Sequence, residues 1–341
     1  MQLPNHIHSV ERIVYGVTLA TAFLVCVSLI VLLQSKQQFT RSVASEISTA
    51  TTSSPTPFPV SVIPQERLIK EDAAVDDFLQ NYLTYETSRQ RYDRWSDRLF
   101  ATFSQFDWYQ QLASPSTRII VILPGERQEQ ITHNLSRILR WNSDEAAVFV
   151  DLVTAQLPNL PDGTFFPGRY IVPHDASPYY IASLLNDQFR QAVRLRYTED
   201  IEAVVPLRDT LIIASLLERE AYDFTDMRYI SGIIWNRLFI DMNLQLDASL
   251  QYAKANIQPG NWWPPARPAD KFIDSPFNTY QNPGLPPSPI ANPSLASIIA
   301  ALNPRPTDCL FYFHDRRAGF HCSETYEQHV RGLRVHYGQG R

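Results

Sequence analysis

An uncharged apolar run near the N-terminus restricts the fold of this chain more than any other feature. It extends over 13–33, "IVYGVTLATAFLVCVSLIVLL", 21 residues without a charged side chain. A helix rises about 1.5 Å per residue, so this run spans roughly 31 Å, the thickness of a bilayer core. The apolar core of a signal peptide is shorter. We therefore predict one membrane-spanning helix at 13–33 after a short cytoplasmic tail at 1–12, with cleavage near the "SVA" at 42–44 or lipidation at Cys26 as weaker alternatives.

The rest of the chain has the composition of a packed globular protein. Its 341 residues are 44% hydrophobic and 12% aromatic, which is enough for two modest domains. The formal net charge of -5 gives no reason to expect nucleic-acid binding. The Ser-, Thr- and Pro-rich sequence "STATTSSPTPFPVSVIP" predicts that 34–65 is a linker without a core of its own.

Local patterns predict two further parts after the linker. Apolar residues at helical spacing indicate a helical region at 66–115. The next segment, 116–200, combines a buried strand "RIIVIL", two helices and a second strand "FFPGRYIV", followed by a connecting helix. Asn142 and Glu145 are spaced for a capping box, and Ser177 precedes a proline at the start of the connecting helix. These signals predict a strand–helix–helix–strand module.

Two glutamates end an apolar helical stretch, "IIASLLEREAYDF" at 212–224. An ionised carboxylate is costly to bury unless it is paired or used in chemistry. Small residues share the helix face of Glu218, whereas bulkier residues share the face of Glu220. This difference slightly favours Glu218 as a catalytic acid, although periodicity alone does not decide, and a charged patch on a solvated helix face is the alternative.

Six motifs downstream of these glutamates carry a resemblance to a known family. They are "GIIWNRL" (232–238), "LQLDASLQYA" (244–253), "DSPFNTY" (274–280), "GLPPSPIANPS" (284–294), "AALNP" (300–304) and "GFH" (319–321). In this order and spacing they resemble the endolytic murein transglycosylase family (MltG/YceG-like). The resemblance implies an α+β protein with an N-terminal transmembrane helix, a LysM-like glycan-binding βααβ module at 116–200 and a mixed α+β catalytic domain at 201–341.

The resemblance also implies a reaction. Family members are membrane-anchored bacterial enzymes that cut the β-1,4 bond between N-acetylmuramic acid and N-acetylglucosamine in nascent peptidoglycan, leaving a 1,6-anhydro end. The resemblance places the catalytic residue at Glu218, which protonates the leaving oxygen and then accepts the proton of the attacking 6-hydroxyl. This chemistry needs no cofactor. The alternatives are a muramidase, with Asp247 as the second carboxylate, and a glycan-binding scaffold without catalysis.

Polar residues in the matching motifs are the candidates for substrate binding. They are Asn236, Gln245, Asp247, Tyr252, Ser275, Asn278, Thr279 and Tyr280. Asp247 has a structural alternative, because it is placed to cap the helix that carries Tyr252. The expected partners are glycan strands and cell-wall synthases on the extracytoplasmic side of the bacterial inner membrane. We infer that location from the chemistry. Basic residues flank the apolar run on both sides, so the charge pattern does not indicate its orientation in the membrane.

The C-terminal cysteines and histidines are candidates for a disulfide and for a metal site. His314, His321, Cys322, Glu324 and His329 match no standard zinc spacing, so we expect no metal. The sequence "CLFYFHDRRAGFHC" at 309–322 predicts a hairpin, and pairing about its Asp315–Arg316 centre sets Cys309 opposite Cys322 and Phe313 opposite Ala318. Cross-strand Cβ atoms lie about 4.5–5.5 Å apart, close to the disulfide range. A register shift of one residue would instead leave two free thiols.

Overall fold

The structure is a computed structural model that describes residues 55–70, 116–156, 162–258 and 260–338, with single positions at 15, 18, 19, 21, 23, 75, 76, 78 and 160. Within these residues no helix is both long and apolar enough to cross a membrane. The predicted span at 13–33 lies outside the described residues except for five scattered helical positions. Most of the predicted helical region at 66–115 lies outside them as well.

The end of the predicted linker is part of the folded protein, which corrects the prediction for 55–65. Strand β1 (Val62–Ile63) pairs with β2 (Leu68–Ile69) around a 3-10 turn at Pro64–Glu66. The side chains of Phe58 and Val62 are buried in the larger hydrophobic core. The extended segment also donates backbone hydrogen bonds to the rest of the chain. The burial of these two apolar side chains therefore orders a segment whose Pro-rich composition predicted a linker. The helical region predicted from residue 66 does not begin there, because Leu68–Ile69 is a strand.

The βααβ order predicted for the next segment is present. Strand β3 (Thr117–Ile122) is followed by α1 (Gln128–Leu139), α2 (Ser143–Gln156) and β4 (Gly168–Pro173). The two strands pair antiparallel, with Ile120 opposite Tyr170, and their inner faces pack on both helices in a separate core. The predicted capping box is formed, because Glu145 accepts from the backbone of Asn142 and Asn142 accepts from the backbone of Glu145.

Two helices connect this module to the C-terminal half. Helix α3 (Pro178–Ala192) begins at Ser177, whose hydroxyl accepts from the backbone of Tyr180 as the sequence predicts. A 3-10 turn (Arg194–Arg196) leads into the short helix α4 (Glu199–Val204).

The C-terminal half is built around one buried helix. Helix α5 (Leu207–Glu220) is enclosed by α6 (Phe224–Phe239), α7 (Asp247–Ile257) and α8 (Leu295–Leu302), and the apolar run of α5 over 211–217 is fully buried. A long irregular segment with a 3-10 turn at Pro268–Phe272 joins α7 to α8. The burial of α5 explains why periodicity could not separate its two faces. Together with the small sheets, these helices confirm the mixed α+β class.

A hairpin and a final helix complete the described chain. Strands β5 (Phe311–His314) and β6 (Phe320–Ser323) precede α9 (Tyr326–Tyr337). The predicted register is wrong, because Cys322 lies opposite Tyr312 and a five-residue turn replaces the expected tight one. Cys309 precedes β5, and its sulfur is nevertheless bonded to that of Cys322, with 5.8 Å between the Cα atoms.

Candidate active site

Glu218 is half-buried in the last turn of α5 and faces the start of α8. Its Oε2 accepts hydrogen bonds from the backbone nitrogen of Ser294 at 2.9 Å and from the Ser294 hydroxyl at 2.6 Å. Ser294 is the N-cap of α8 and also accepts from the backbone of Ser297. The positive end of the α8 dipole therefore faces the carboxylate. Its other oxygen, Oε1, accepts no hydrogen bond from the described residues.

The turn after β3 approaches Glu218 from the βααβ module. Gly125 lies in this turn with φ at +82°, and an added Cβ would lie 3.2 Å from Cδ of Arg219 and 3.7 Å from Cγ of Glu218. A larger residue would be strained by the left-handed backbone and would press on Arg219. The module thus forms one side of the surroundings of Glu218.

Asn292 joins the module to the loop that carries Ser294. Its side-chain oxygen accepts from the backbone nitrogens of Gly163 at 2.9 Å and Phe165 at 2.8 Å, and its amide donates to the carbonyl of Glu126 at 3.0 Å. Gly125 in turn donates to the carbonyl of Asn292. Asn292 is fully buried, so no water is at hand to satisfy its backbone partners if its side chain were removed. The position of Ser294 against Glu218 therefore depends on contacts with the module.

Two carboxyl groups are buried at this junction. Asp162 accepts from the backbone of Gln128 at 2.6 Å and from the hydroxyl of Tyr252 at 3.1 Å. Burial raises the pKa of Asp162 from 3.8 to about 7, more than these hydrogen bonds lower it. Burial likewise raises the pKa of Glu126 from 4.5 to about 7. The junction is therefore sensitive to pH near neutrality.

Arg219, next to Glu218, lies between Gly125 and Trp263. Its guanidinium carbon is 3.9 Å from the centroid of the Trp263 ring, within cation–π range. Its Nε is buried and has no hydrogen-bond partner among the described residues. Burial lowers the pKa of Arg219. Trp263 therefore packs against the guanidinium of Arg219.

Glu220 is held on the opposite side of α5. It accepts from the backbone of Ala248 at 2.9 Å and from the hydroxyl of Tyr312 at 3.0 Å, so it links α5 to α7 and β5. Burial raises the pKa of Glu220, and the two hydrogen bonds oppose this rise. Both of its oxygens are occupied by protein donors. This arrangement fits a structural role, whereas one oxygen of Glu218 accepts no hydrogen bond from the part of the chain that the structure describes.

Four of the residues predicted to bind substrate are exposed or partly exposed. Gln245 and Asp247 are exposed at the start of α7, and Ser275 and Tyr280 are partly exposed in the following loop. The Tyr280 hydroxyl donates to Asp247 at 2.8 Å. Asp247 is the first residue of α7 rather than its cap. These four side chains remain candidates for contacts with a sugar chain.

The other four, Asn236, Tyr252, Asn278 and Thr279, make internal hydrogen bonds. The Asn236 amide donates to the carbonyls of Thr307 and Cys309. Asn278 and Thr279 are almost completely buried and hold the loop and the turn before α7. Tyr252 is buried against Asp162. Polarity in a family motif does not distinguish a loop-stabilising residue from a ligand contact, because both need hydrogen-bonding atoms.

Sequence reasoning did not single out Ser294 or Asn292 as part of this site. A serine directly before "LASIIAAL" is a recognisable N-cap signal, and that signal predicts the start of α8. It carries no information about the side chain 76 positions earlier that Ser294 contacts.

Comparison with known proteins identifies the family. The model of the YceG-like family matches residues 66–334. The chain belongs to the YceG-like family. The crystal structure of a yceG-like protein from Listeria monocytogenes has the same fold, with a TM-score of 0.55 and 25% identity over 65% of this chain and 80% of that one.

Two curated relatives of this YceG-like chain carry a functional name. The endolytic murein transglycosylase of Bacillus subtilis (strain 168) is 32% identical over 180 residues, covering 52% of this chain and 49% of that protein. The protein of the same name from Streptococcus pneumoniae (strain ATCC BAA-255 / R6) is 30% identical over 179 residues, covering 51% of this chain and 32% of that protein. The matches span a third to a half of the length of these relatives.

Proposed function

We propose that this protein is a lytic transglycosylase that cuts peptidoglycan glycan strands between N-acetylmuramic acid and N-acetylglucosamine and leaves 1,6-anhydro ends. The proposal rests on the hydrogen bonding of the two carboxylate oxygens of Glu218. One of its oxygens is fixed by two donors of Ser294, and the other accepts no hydrogen bond from the described residues. The name of the related proteins, endolytic murein transglycosylase, supports the choice of substrate.

Glu218 performs both proton transfers in this proposal. Its Oε1 carries the proton that is given to the glycosidic oxygen as the bond to the anomeric carbon breaks. The resulting carboxylate then accepts the proton of the muramyl 6-hydroxyl as that oxygen bonds to the same carbon. The two hydrogen bonds from Ser294 hold Oε2 throughout and stabilise the ionised form that is present between the two transfers.

One carboxylate is sufficient because the nucleophile belongs to the substrate. A tethered hydroxyl gains a large effective concentration over a free water, so no second carboxylate is needed to position water. The chemistry requires no cofactor.

The remaining parts of the chain complete the proposal. The apolar run at 13–33 anchors the protein in the bacterial cell membrane with the folded part on the extracytoplasmic side, and the segment before residue 55 acts as the spacer. The βααβ module is LysM-like and binds glycan beside the Glu218 site. Cell-wall synthases are the expected partners, and cutting of nascent strands ends their elongation.

A muramidase is the second candidate function. It needs a second carboxylate to activate water, and Asp247 is exposed at the start of α7. One oxygen of Asp247 already accepts from Tyr280, which leaves the other for a water. A glycan-binding scaffold without catalysis is the third candidate.

The products distinguish these candidates. Purified protein is incubated with uncrosslinked glycan strands, and the fragments are analysed by mass spectrometry. We expect 1,6-anhydro-muramyl ends, and reducing muramyl ends would establish the muramidase instead. Unchanged strands, with binding intact, would support the scaffold.

A further inference from the structure

We propose that Asp315, His321 and His336 form a binding site for a divalent transition-metal ion, with Zn²⁺ as the ion whose ligand preferences they match. The site lies where the β5–β6 turn meets the last turn of α9. It shares no residue with the Glu218 site, and the inference is independent of the proposed function.

The three side chains each present one ligand atom to a common space. Nε2 of His321 is 2.9 Å from Oδ2 of Asp315, and Nδ1 of His336 is 3.8 Å from the same oxygen. All three ligand atoms lie within 4.8 Å of one another. Zinc bonds to nitrogen and oxygen are about 2.0–2.2 Å long, which sets tetrahedral ligand atoms roughly 3.3–3.5 Å apart. Side-chain shifts of about 1.5 Å or less would thus seat an ion, with water as the fourth ligand.

The backbone of the turn prepares the carboxylate for this role. Oδ1 of Asp315 accepts from the backbone nitrogens of Arg317 at 2.8 Å and Gly319 at 3.0 Å, which fixes the orientation of the group with Oδ2 beside Nε2 of His321. Hydrogen bonds from surrounding groups to a metal-binding side chain orient that side chain in many proteins. Gly319 permits the close approach, because a Cβ at that position would lie 2.8 Å from Oδ2.

The three proposed ligands differ from the set of candidate metal ligands in the sequence analysis above. His314 pairs with Asp226 rather than with Asp315, and the sulfur of Cys322 is bonded to Cys309, so neither belongs to the group of three ligand atoms. His336 enters the site only because α9 folds back onto the hairpin, where its ring centroid is 4.2 Å from that of His321. The zinc spacing that the sequence lacks is therefore supplied by tertiary contact.

The attachment of α9 indicates what an ion would do. Helix α9 has no fully buried residue, so little apolar surface fixes it to the domain. Its contacts with β5 include aromatic pairs, such as Phe313 against His336 at 5.6 Å between ring centroids, and a hydrogen bond from the Tyr337 hydroxyl to the carbonyl of His314. A metal bound by one residue of α9 and two of the hairpin would link the helix to the disulfide-bonded hairpin and stabilise the C-terminus.

The test measures metal binding by the full chain in detergent. Isothermal titration with Zn²⁺ is expected to give one site per chain in the micromolar range, while Mg²⁺, which prefers oxygen ligands, gives none. His336→Ala and His321→Ala should each weaken Zn²⁺ binding at least tenfold. His329→Ala is the matched control, because His329 lies on the same helix without contributing a ligand atom, and it should bind like wild type.

Two further measurements separate a built site from chance surface binding. Zn²⁺ at a hundredfold excess over Kd should raise the Tm of the wild type by roughly 5–10 °C, and not that of His336→Ala. Co²⁺ bound to the wild type should show the visible absorption bands of a tetrahedral ion. Absence of Zn²⁺ binding by the wild type, or equal binding by His336→Ala, would overturn the proposal.

Discussion

The Ser294 hydroxyl lies 2.6 Å from Oε2 of Glu218, and the backbone nitrogen of Ser294 donates to the same oxygen at 2.9 Å. A hydrogen bond to a charged group contributes about 1.5–3 kcal/mol, and each 1.36 kcal/mol or so is tenfold in rate. We expect Ser294→Gly, which keeps an acceptable N-cap, to lower kcat/KM roughly 10- to 100-fold and to change its pH profile.

The control for this prediction is Ser297→Ala, which removes a neighbouring hydroxyl of α8 that does not contact Glu218. Its loss of stability should resemble that of Ser294→Gly, while its pH profile of kcat/KM remains that of the wild type. A wild-type rate and pH profile for Ser294→Gly would refute the positioning role of Ser294.

The two glutamates of α5 are expected to respond in opposite ways to the same substitution. In the proposed mechanism Glu218→Gln removes the group that gives and takes the proton, and such a group accounts for about 10²–10⁴-fold in rate. The folded structure should be unaffected, because the amide can still accept from Ser294. Glu220→Gln replaces an oxygen that accepts from Ala248 or Tyr312 with an NH₂ that cannot accept, and we expect a loss of stability of about 1–3 kcal/mol with most activity retained. Urea unfolding and product formation measured on both variants check this, and comparable activity losses would contradict the assignment.

Asp162 should make the stability of the protein pH-dependent. Its pKa is about 7 when folded and near 3.8 when unfolded. Between these values the folded state holds a proton that the unfolded chain has released. The stabilisation from this group is therefore fully present below pH 3.8 and is lost as the pH rises through about 7, by roughly 1.4 kcal/mol per pH unit at most.

The measurement for Asp162 is urea unfolding at pH 5 and pH 8. We expect a smaller difference between the two pH values for Asp162→Asn than for the wild type, with a remainder from Glu126. The exposed Asp175 supplies the control, since Asp175→Asn should keep the wild-type difference. An unchanged difference in Asp162→Asn would show that this carboxyl does not titrate near neutrality.

We expect the residues before 55 and the residues after it to contribute differently to the stability of the protein. Deletion of 40–54 is expected to leave stability and cleavage in detergent unchanged, because its composition has no core-forming pattern. Deletion of 55–70 removes Phe58 and Val62 from the core, each contributing about 1.5–3 kcal/mol. Thermal unfolding of the two deletion variants tests this. Equal Tm values would mean that 55–70 adds no stability.

Cys309 and Cys322 should be unreactive in protein made in an oxidising compartment. Labelling of the unfolded, unreduced chain is expected to modify only Cys26. The bond closes a short loop and contributes up to about 3 kcal/mol in the chain-entropy model, so reduction should lower the Tm. Two labelled thiols at 309 and 322 would show that the bond does not form.

Local features of this protein were predictable from the sequence because they depend on neighbours along the chain. The capping box of Asn142 and Glu145, the start of α3 at Ser177 and the βααβ order all follow from contacts within a few positions. The motifs also sufficed for the family, since their order and spacing persist without knowledge of the packing. Glu218 was selected by the same resemblance.

The tertiary structure alone decided how distant segments meet. The hydrogen bonds of Ser294 to Glu218 and of Asn292 to Gly163 join residues 76 and 129 positions apart, and no local pattern encodes them. The same holds for the burial of Phe58, where packing against remote residues outweighs Pro-rich composition. The hairpin register instead goes with the five-residue turn, in which Asp315 accepts from the backbone nitrogens of Arg317 and Gly319. The sequence by itself determined the family and those elements whose signals are local. The packing of those elements against one another determined which polar side chains remain free to meet a substrate, because a buried hydrogen-bonding group must be satisfied by whatever lies beside it in space.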